Sequence, residues 1–467
     1  MKLCLRKCAV AALSATLTAC AGMSAGNLFS DYSTQNSYTY AAVLEGDYQT
    51  AQDYAADAEI AGNILDNLER GRIAFLNEDY AQSMASFKLS DQAVRVQADQ
   101  ATISISETAT SVGALAANDN LTSFEPADYE LGFMHLYLGL NYLRKNDLEG
   151  ALVEMRRANQ VQEAARKRRQ SELEAAEASA AKEGVDPDLG AIMANYPAAG
   201  KKLSAVQNGY LLYLSALLYE TSKDLNSAYV DYRRALAVMP ENAQIIQGTM
   251  RVAKKMANRQ DLVKLEKRYG KYQAQNKQKG QLIIIDERSV VAAQDSWQYS
   301  FPLYDRDAKQ TYYYNLSLPF YPSNQSYDLN ELLVDGKTLP SDQLVDVNLM
   351  AENDLVEKLP GMILRQAIRV VAKEQIRREA AKSGESDLGN VLVNVWNILT
   401  EQADTRSWQS LPQKVYSSSD YVDAGTHSVS VNHQAYEFDV PAGQTTLVWI
   451  SRQGQGYSIW HKQLGAI

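Results

Sequence analysis

Cysteine is nearly absent. The chain has three, Cys4, Cys8 and Cys20, and all lie in its first 20 residues. Nothing after position 20 can therefore supply a disulfide, a thiol nucleophile or a cysteine metal ligand. Histidine is scarce as well: His135, His427, His433 and His461 are the only four in 467 residues. His135 falls in a helical stretch, where a packed, hydrogen-bonded imidazole is expected. His427 and His433 belong on or beside one hairpin, and no further ligand stands near them, so neither metal nor cofactor is expected. No G-x-S-x-G, H-E-x-x-H or phosphate-loop pattern occurs. Basic charge is in deficit, with 46 Lys and Arg against 56 Asp and Glu and a net charge of −10. That excludes a general nucleic-acid role, which needs a cationic field. Phenylalanine is rare (8) where tyrosine is common (28). Tyrosine suits half-buried helix seams and wet surfaces alike.

The N-terminus carries a basic start, Lys2, Arg6 and Lys7, and then an apolar run from Cys8 to Leu17 that is too short to span a bilayer. Leu17-Thr18-Ala19-Cys20 follows, and Ala21-Gly22 after it. Small residues before a cysteine at the end of such a run resemble the bacterial lipobox. The expectation is a signal peptide over 1–19, acylation of Cys20 and a lipidated tether over 20–37. Several acyl chains hold a protein stably on a membrane. Position 21 is Ala and not Asp, which favours the outer membrane, periplasmic face. Loss of the leader leaves 43 basic residues against 56 acidic, a net charge of about −13.

Residues 38–272 read as degenerate helical repeats. Gly139 and Ala151 are small where two helices approach, Tyr142 and Met155 fill between them, Asn146-Asp147 forms the turn, and Ala158 closes the unit. A second copy places Ala216, Tyr219, Ala228, Tyr232 and Ala235 on the same template, ended by Pro240, whose ring cannot continue a helix. Gly71, Tyr80 and Phe87 mark a weaker copy around Asn77-Glu78-Asp79. Weaker pairs fall at 243–257 with 260–269, and at 38–60 around Glu45-Gly46-Asp47-Tyr48. Each unit has an apolar face that a neighbour must bury, so the expected architecture is a tetratricopeptide-like α-solenoid whose concave face binds a partner. An Ala/Glu/Arg-rich run predicts one projecting helix near 149–183, roughly 50 Å long at about 1.5 Å per residue. Its Arg166-Lys167-Arg168-Arg169 is balanced by nearby glutamates, as on a solvated face.

From Gly280 the pattern changes. "QLIIIDE" is a short β-branched run, and "ELLVDGKTL" holds an Asp-Gly turn. "THSVSVN", "AYEFDVPAG", "TTLVWISR" and "GYSIWHK" alternate with a period of two. Residues 280–467 therefore predict an antiparallel β-sandwich-like domain. A helical insert over 348–403 is expected to break at Pro360-Gly361 and to pack on the sheet as a hairpin. The fold class as a whole is α+β, multidomain.

The run "ADYELGFMHLYLGLNYLRKNDLEGALVEMRRA", the block "ENDLVEKLPGMILRQAIRVVAKEQIRREAAKSG" and "LVNVWNILTEQADTRSWQSLPQKVYSSSDYV" together resemble an uncharacterised family of bacterial tetratricopeptide-repeat lipoproteins. Asp404-Thr405-Arg406-Ser407-Trp408 with Leu411-Pro412 is the most specific mark. The chain departs from the family after the "LIII" strand, where it reads "DERSVVAAQDS". The resemblance implies an envelope lipoprotein of a family with no assigned reaction, grouped with other envelope lipoproteins that include penicillin-binding-protein activators.

Glu401, Asp404 and Arg406 could form an acid–base site only if their environments split their pKa values. The competing expectation is a lock: Arg406 forks onto a carboxylate, Trp408 buries its ring, and Arg406–Pro412 returns to the sheet as a strand. Two functions follow. The first is a protein–protein scaffold of the cell envelope with an unknown protein partner. The second is a peptidoglycan- or glycan-binding or -processing protein using a Tyr-rich β face that includes Tyr312-Tyr313-Tyr314.

Overall fold

A computed structural model describes residues 31–55, 58–106, 123–164, 203–274, 278–305, 310–322, 329, 331–382 and 403–467. Cys20, the leader, residues 165–202 with the Arg166–Arg169 run, and residues 383–402 with Glu401 lie outside these. The chain is a mixed α+β protein.

Its first half is a series of helix pairs. α1 is Tyr32–Gln35, α2 Ser37–Glu45, α3 Tyr48–Asp53, α4 Ala58–Leu76, α5 Tyr80–Ser106 and α6 Asp128–Arg144. α7 spans 148–164 within the described residues. α8 is Gly209–Thr221, α9 Leu225–Val238, α10 Ala243–Lys255 and α11 Arg259–Tyr269. The expected tether over 20–37 ends early: α1 and α2 begin inside it, and Tyr32 is buried because its ring packs in the core.

One local device joins α2 to α3, α4 to α5, α6 to α7, α8 to α9 and α10 to α11. A residue with positive φ closes the first helix: Gly46 (84°), Glu78 (62°), Asn146 (63°), Lys223 (69°) and Ala257 (55°). Asp47, Asp79, Asp147, Asp224 or Asn258 then accepts a backbone N–H three residues on at 2.8–3.3 Å. The left-handed residue turns the chain back, and the side-chain cap starts the next helix by satisfying one of its free N–H groups. Small residues then let the partners close. Ala151, Ala158, Ala216, Ala228 and Ala235 are fully buried. Gly139 faces Met155 and Ala151, and a Cβ on Gly71 would stand 2.8 Å from the Phe87 ring. Gly248 lies under the ring of Tyr232. α9 stops at Val238, two residues before Pro240.

The strands are β1 Lys279–Arg288, β2 Asp295–Asp305, β3 Gln310–Phe320, β4 Leu333–Val334, β5 Lys337–Thr338, β6 Asp342–Asp346, β7 Lys414–Asp423, β8 Gly425–Val431, β9 Gln434–Val440, β10 Thr445–Gln453 and β11 Gly456–Gly465. One sheet has the order β11-β10-β1-β7-β6, another β5-β4-β8-β9, and β2 pairs with β3. The expectation of purely antiparallel pairing fails at the centre, where β1 and β10 run parallel, Ile283 beside Leu447 and Ile285 beside Trp449. A parallel strand is buried on both faces, and β1 and β10 show it: "LIIIDE" and "TTLVWISRQ" are buried throughout.

The two faces of the five-stranded sheet meet different layers. Leu282, Ile284, Val448 and Ile450 pack on Val334, Val429, Phe438 and Val440 of the small sheet. Ile283, Ile285, Leu447 and Trp449 join the helices in the largest core. The expected division into a helical unit over 38–272 and a β unit over 280–467 is therefore not matched by separate cores. α12, Val347–Lys382, runs unbroken through Pro360. An internal proline costs about 3 kcal/mol; burial of Leu355, Leu359, Ile363, Leu364 and Ile368 against Leu316 and Leu318 of β3 offsets it.

Candidate functional site

The polar groups that could do chemistry gather where the helices meet the sheet. Glu287 ends the helix-facing row of β1 and is fully buried. Arg72 of α4 donates to it through Nη2 at 2.6 Å, and also to Ser451 Oγ at 2.9 Å. Tyr137 of α6 donates its hydroxyl to Glu287 at 3.2 Å, Tyr210 of α8 does so at 3.2 Å, and Trp449 Nε1 at 3.1 Å. The Arg72 guanidinium lies 4.4 Å from the Tyr137 ring centroid, within cation–π range. Burial opposes the Arg72 charge, but the carboxylate of Glu287 holds its pKa above the ordinary value. Burial pushes the Tyr137 and Tyr210 phenols well up, so both remain donors. β1 supplies Glu287, β10 supplies Trp449 and Ser451, and helices α4, α6 and α8 supply Arg72, Tyr137 and Tyr210.

Beside it the segment 403–412 lies along the helices, held by its backbone. Glu130 of α6 accepts Trp408 N at 2.7 Å, and Glu69 of α4 accepts Gln409 N at 2.6 Å and Ser410 N at 3.2 Å. Glu130 also accepts Ala127 N at 2.7 Å, and Tyr32 donates its hydroxyl to Glu69 at 3.4 Å. Burial raises both carboxyls to about 7, while the backbone N–H groups that they accept pull the other way. Trp408 is fully buried, 5.7 Å from the Phe87 ring and 6.1 Å from Tyr137. Arg72 Nε reaches Ser410 O at 3.4 Å and so ties this segment to the Glu287 cluster. Asn36 of the N-terminal helices donates to Gln409 Oε1 at 2.8 Å, and Ser33 N to Thr405 Oγ1 at 3.1 Å.

Arg406 and Asp404 form the expected fork, at 2.8 and 2.7 Å. Both partners, however, sit in one segment two residues apart, so the fork shapes the loop and does not join helix to sheet. The strand expected over Arg406–Pro412 is also absent; β7 starts at Lys414. The backbone donors of 408–410 go to Glu69 and Glu130, which leaves none for a sheet ladder. Leu411 O instead accepts Val291 N at 2.8 Å, just before Pro412.

Of the other expected residues, His135 Nδ1 lies 2.7 Å from Glu154 Oε2 in a buried pair. Tyr232 donates to Glu220 at 3.1 Å, and Arg251 forks onto the same carboxylate at 2.8 and 2.7 Å. Burial opposes the charge of Glu220, yet Arg251 and Lys255 bring its pKa down to about 2. Tyr219 takes a bond from Arg156 Nε at 3.2 Å. Tyr142 stacks against Gly150 and lines an open groove of about 400 Å³ between α5, α6 and α7. In that groove Arg157 reaches Asp91 at 3.3 Å and Glu154 at 3.2 Å. His427 pairs with Asp335 of the Asp335-Gly336 turn at 2.6 Å, and His433 is in the turn between β8 and β9. Among the described residues no group of three or more His, Cys, Asp or Glu could hold a metal ion.

Glu69, Arg72, Glu130 and Glu287 are not singled out by any motif. Their signal is a charge inside an apolar period. In "LERGRIAFL" Glu69 and Arg72 fall three apart, on the face that buries Leu65, Leu68 and Leu76. Comparison with protein-family models, with curated proteins and with solved structures finds no match.

Proposed function

We propose that the chain is a non-enzymatic scaffold of the bacterial cell envelope, acylated at Cys20 and held on the periplasmic face of the outer membrane, where it docks a protein of the cell-wall synthesis machinery. Its paired helices supply a tetratricopeptide-like framework. The observation that carries this reading is how the acid–base inventory is used. Glu69, Glu130 and Glu287 are at most 3% exposed, and each accepts hydrogen bonds from the chain's own backbone or side chains. General acid–base work needs a carboxyl within reach of a substrate; here the carboxyls hold the fold.

The partner surface then lies on the outer helix faces. On α5, Leu89 is 54% and Val96 49% exposed, and they are two turns apart on one face. Two measurements test the proposal. Mass spectrometry of the mature protein is expected to show acyl-modified Cys20 as its first residue, and Cys20→Ala should move the protein to the soluble fraction. A photo-crosslinker at Leu89 or Val96 in living cells is expected to trap one defined envelope protein. The same probe at Glu437, on β9, is expected to trap none. An unmodified Cys20 refutes the anchor. An identical pattern from all three positions refutes the docking face.

A further inference from the structure

The outer face of the last helix pair is cationic in a chain that is otherwise acidic. Residues 251–274 carry eight Lys and Arg against two acidic residues, whereas the rest of the chain has 38 basic against 54 acidic. α11 buries none of its residues. Arg259, Lys264, Lys267 and Arg268 are all exposed. They share their face with Val263, which is 63% exposed. Lys271 follows directly, its side chain 88% exposed.

The two acids are partly exposed and paired. Asp261 accepts Tyr229 Oη at 2.9 Å and pairs with Arg233 and, at 3.7 Å, with Lys264; Glu266 accepts Lys271 Nζ at 2.9 Å and Tyr272 N at 3.3 Å. A solvated helix intersperses both signs over its surface. Here five exposed cations stand against two partly exposed acids, and beside them lie one exposed Val and the half-buried rings of Tyr269 and Tyr272.

We propose that this face of α10–α11 docks on the anionic phospholipid headgroups of a bilayer. Charge complementarity selects a polyanion. The surface is a convex helix with an apolar residue among its cations, which suits a headgroup layer. The choice of a bilayer as the polyanion in reach rests on the acyl-anchor reading. Residues 31–36 meet Thr405 and Gln409 near the Glu287 end of β1, whereas α11 feeds its Lys279 end. The ten residues of β1 separate these points by about 30 Å.

The test uses the full chain carrying Cys20→Ala, so that binding does not depend on acylation. Sedimentation with vesicles of phosphatidylcholine containing about 30% phosphatidylglycerol is compared with phosphatidylcholine alone. Excess binding to the anionic vesicles is expected, and it should be lost at about 0.5 M salt. The triple variant Lys264→Glu, Lys267→Glu, Arg268→Glu is expected to reduce that excess at least about tenfold. Its thermal midpoint should be unchanged, since all three side chains are exposed. Should the triple variant fail to fold, the corresponding Gln substitutions take its place. Equal binding to both vesicles, or an excess that the substitutions leave intact, overturns the proposal. Light scattering that shows a dimer dissolved by the triple variant also overturns it, and assigns the face to the acidic surface of a second copy. Acylation of Cys20 is read separately by mass, so failure of the anchor and failure of this face are distinguishable.

Discussion

Raising the pH from about 5 to about 8 is expected to weaken the fold through Glu69 and Glu130. Burial pushes both carboxyls from an ordinary 4.5 to about 7, and the charge of Glu130 adds to the rise at Glu69. Between those values the folded protein keeps protons that the unfolded chain has released. The stability contributed by these groups is therefore complete below about 4.5 and is lost as the pH climbs through about 7. Each shift corresponds to about 3 kcal/mol, at about 1.36 kcal/mol per unit. The two accept from adjacent residues of one backbone segment, Trp408 to Ser410. The assay is urea unfolding, followed by tryptophan fluorescence, at several pH values in this range. Glu130→Gln removes one of the two linked protons, so the slope of stability against pH should fall by about half. The amide also turns an N–H₂ toward a backbone donor, at a cost of about 1–3 kcal/mol that does not vary with pH. His427 and other groups titrating nearby are common to both proteins and cancel in the comparison. Wild-type stability that rises over this range, or a slope that Glu130→Gln leaves unchanged, refutes the argument. The backbone donors would then outweigh burial and keep both carboxyls ionised.

Two further substitutions probe the interface between helices and sheet. Arg72→Met strands the Glu287 carboxylate among Tyr137, Tyr210 and Trp449 and is expected to cost about 3–5 kcal/mol in thermal or urea unfolding; adding Glu287→Leu should restore much of the loss, because an apolar pair needs no counter-charge. Gly46→Ala is expected to cost at least about 2 kcal/mol. Gly46 has φ 84°, and its Cβ would fall on the backbone of Gly456, the first residue of β11. Hydrogen exchange at Gln455 N, which donates to Glu45 O at 3.1 Å, should accelerate with it, and unchanged protection would refute the close-packing account.

The helix pairs were legible because their information is local. "EGDY", "NEDY", "KNDL" and "SKDL" each write a left-handed residue and an Asp cap side by side, and the flanking Gly and Ala mark the close approach. The strands were legible by period, but their order was not. β1 and β10 lie 157 or more residues apart, and their parallel pairing follows from burial on both faces, which a short apolar run shares with other strands. Pro360 misled because the penalty for an internal proline is local while the burial that offsets it comes from β3. The segment 403–412 misled in another way. Its Trp and Pro suit a strand end, and its backbone donors were claimed by Glu69 and Glu130, more than 270 residues earlier. No spacing rule links those positions.

That segment also relocates the question of partners. Paired helices have an apolar face that a neighbour must bury. In this chain Trp408 and Leu411, with Ile283, Ile285, Leu447 and Trp449 of the sheet, fill that role in one continuous core. The segment is bound as a foreign peptide would be, through backbone N–H groups accepted by fixed carboxylates and one deeply buried aromatic anchor. A partner competing for this site would have to expose Trp408 and leave both glutamates without their donors. Truncating a buried Trp alone costs about 3–5 kcal/mol, a large fraction of the net stability of a typical domain. Outer faces such as that of Leu89 and Val96, or the cationic side of α11, can be covered at no such cost, because the fold does not use them.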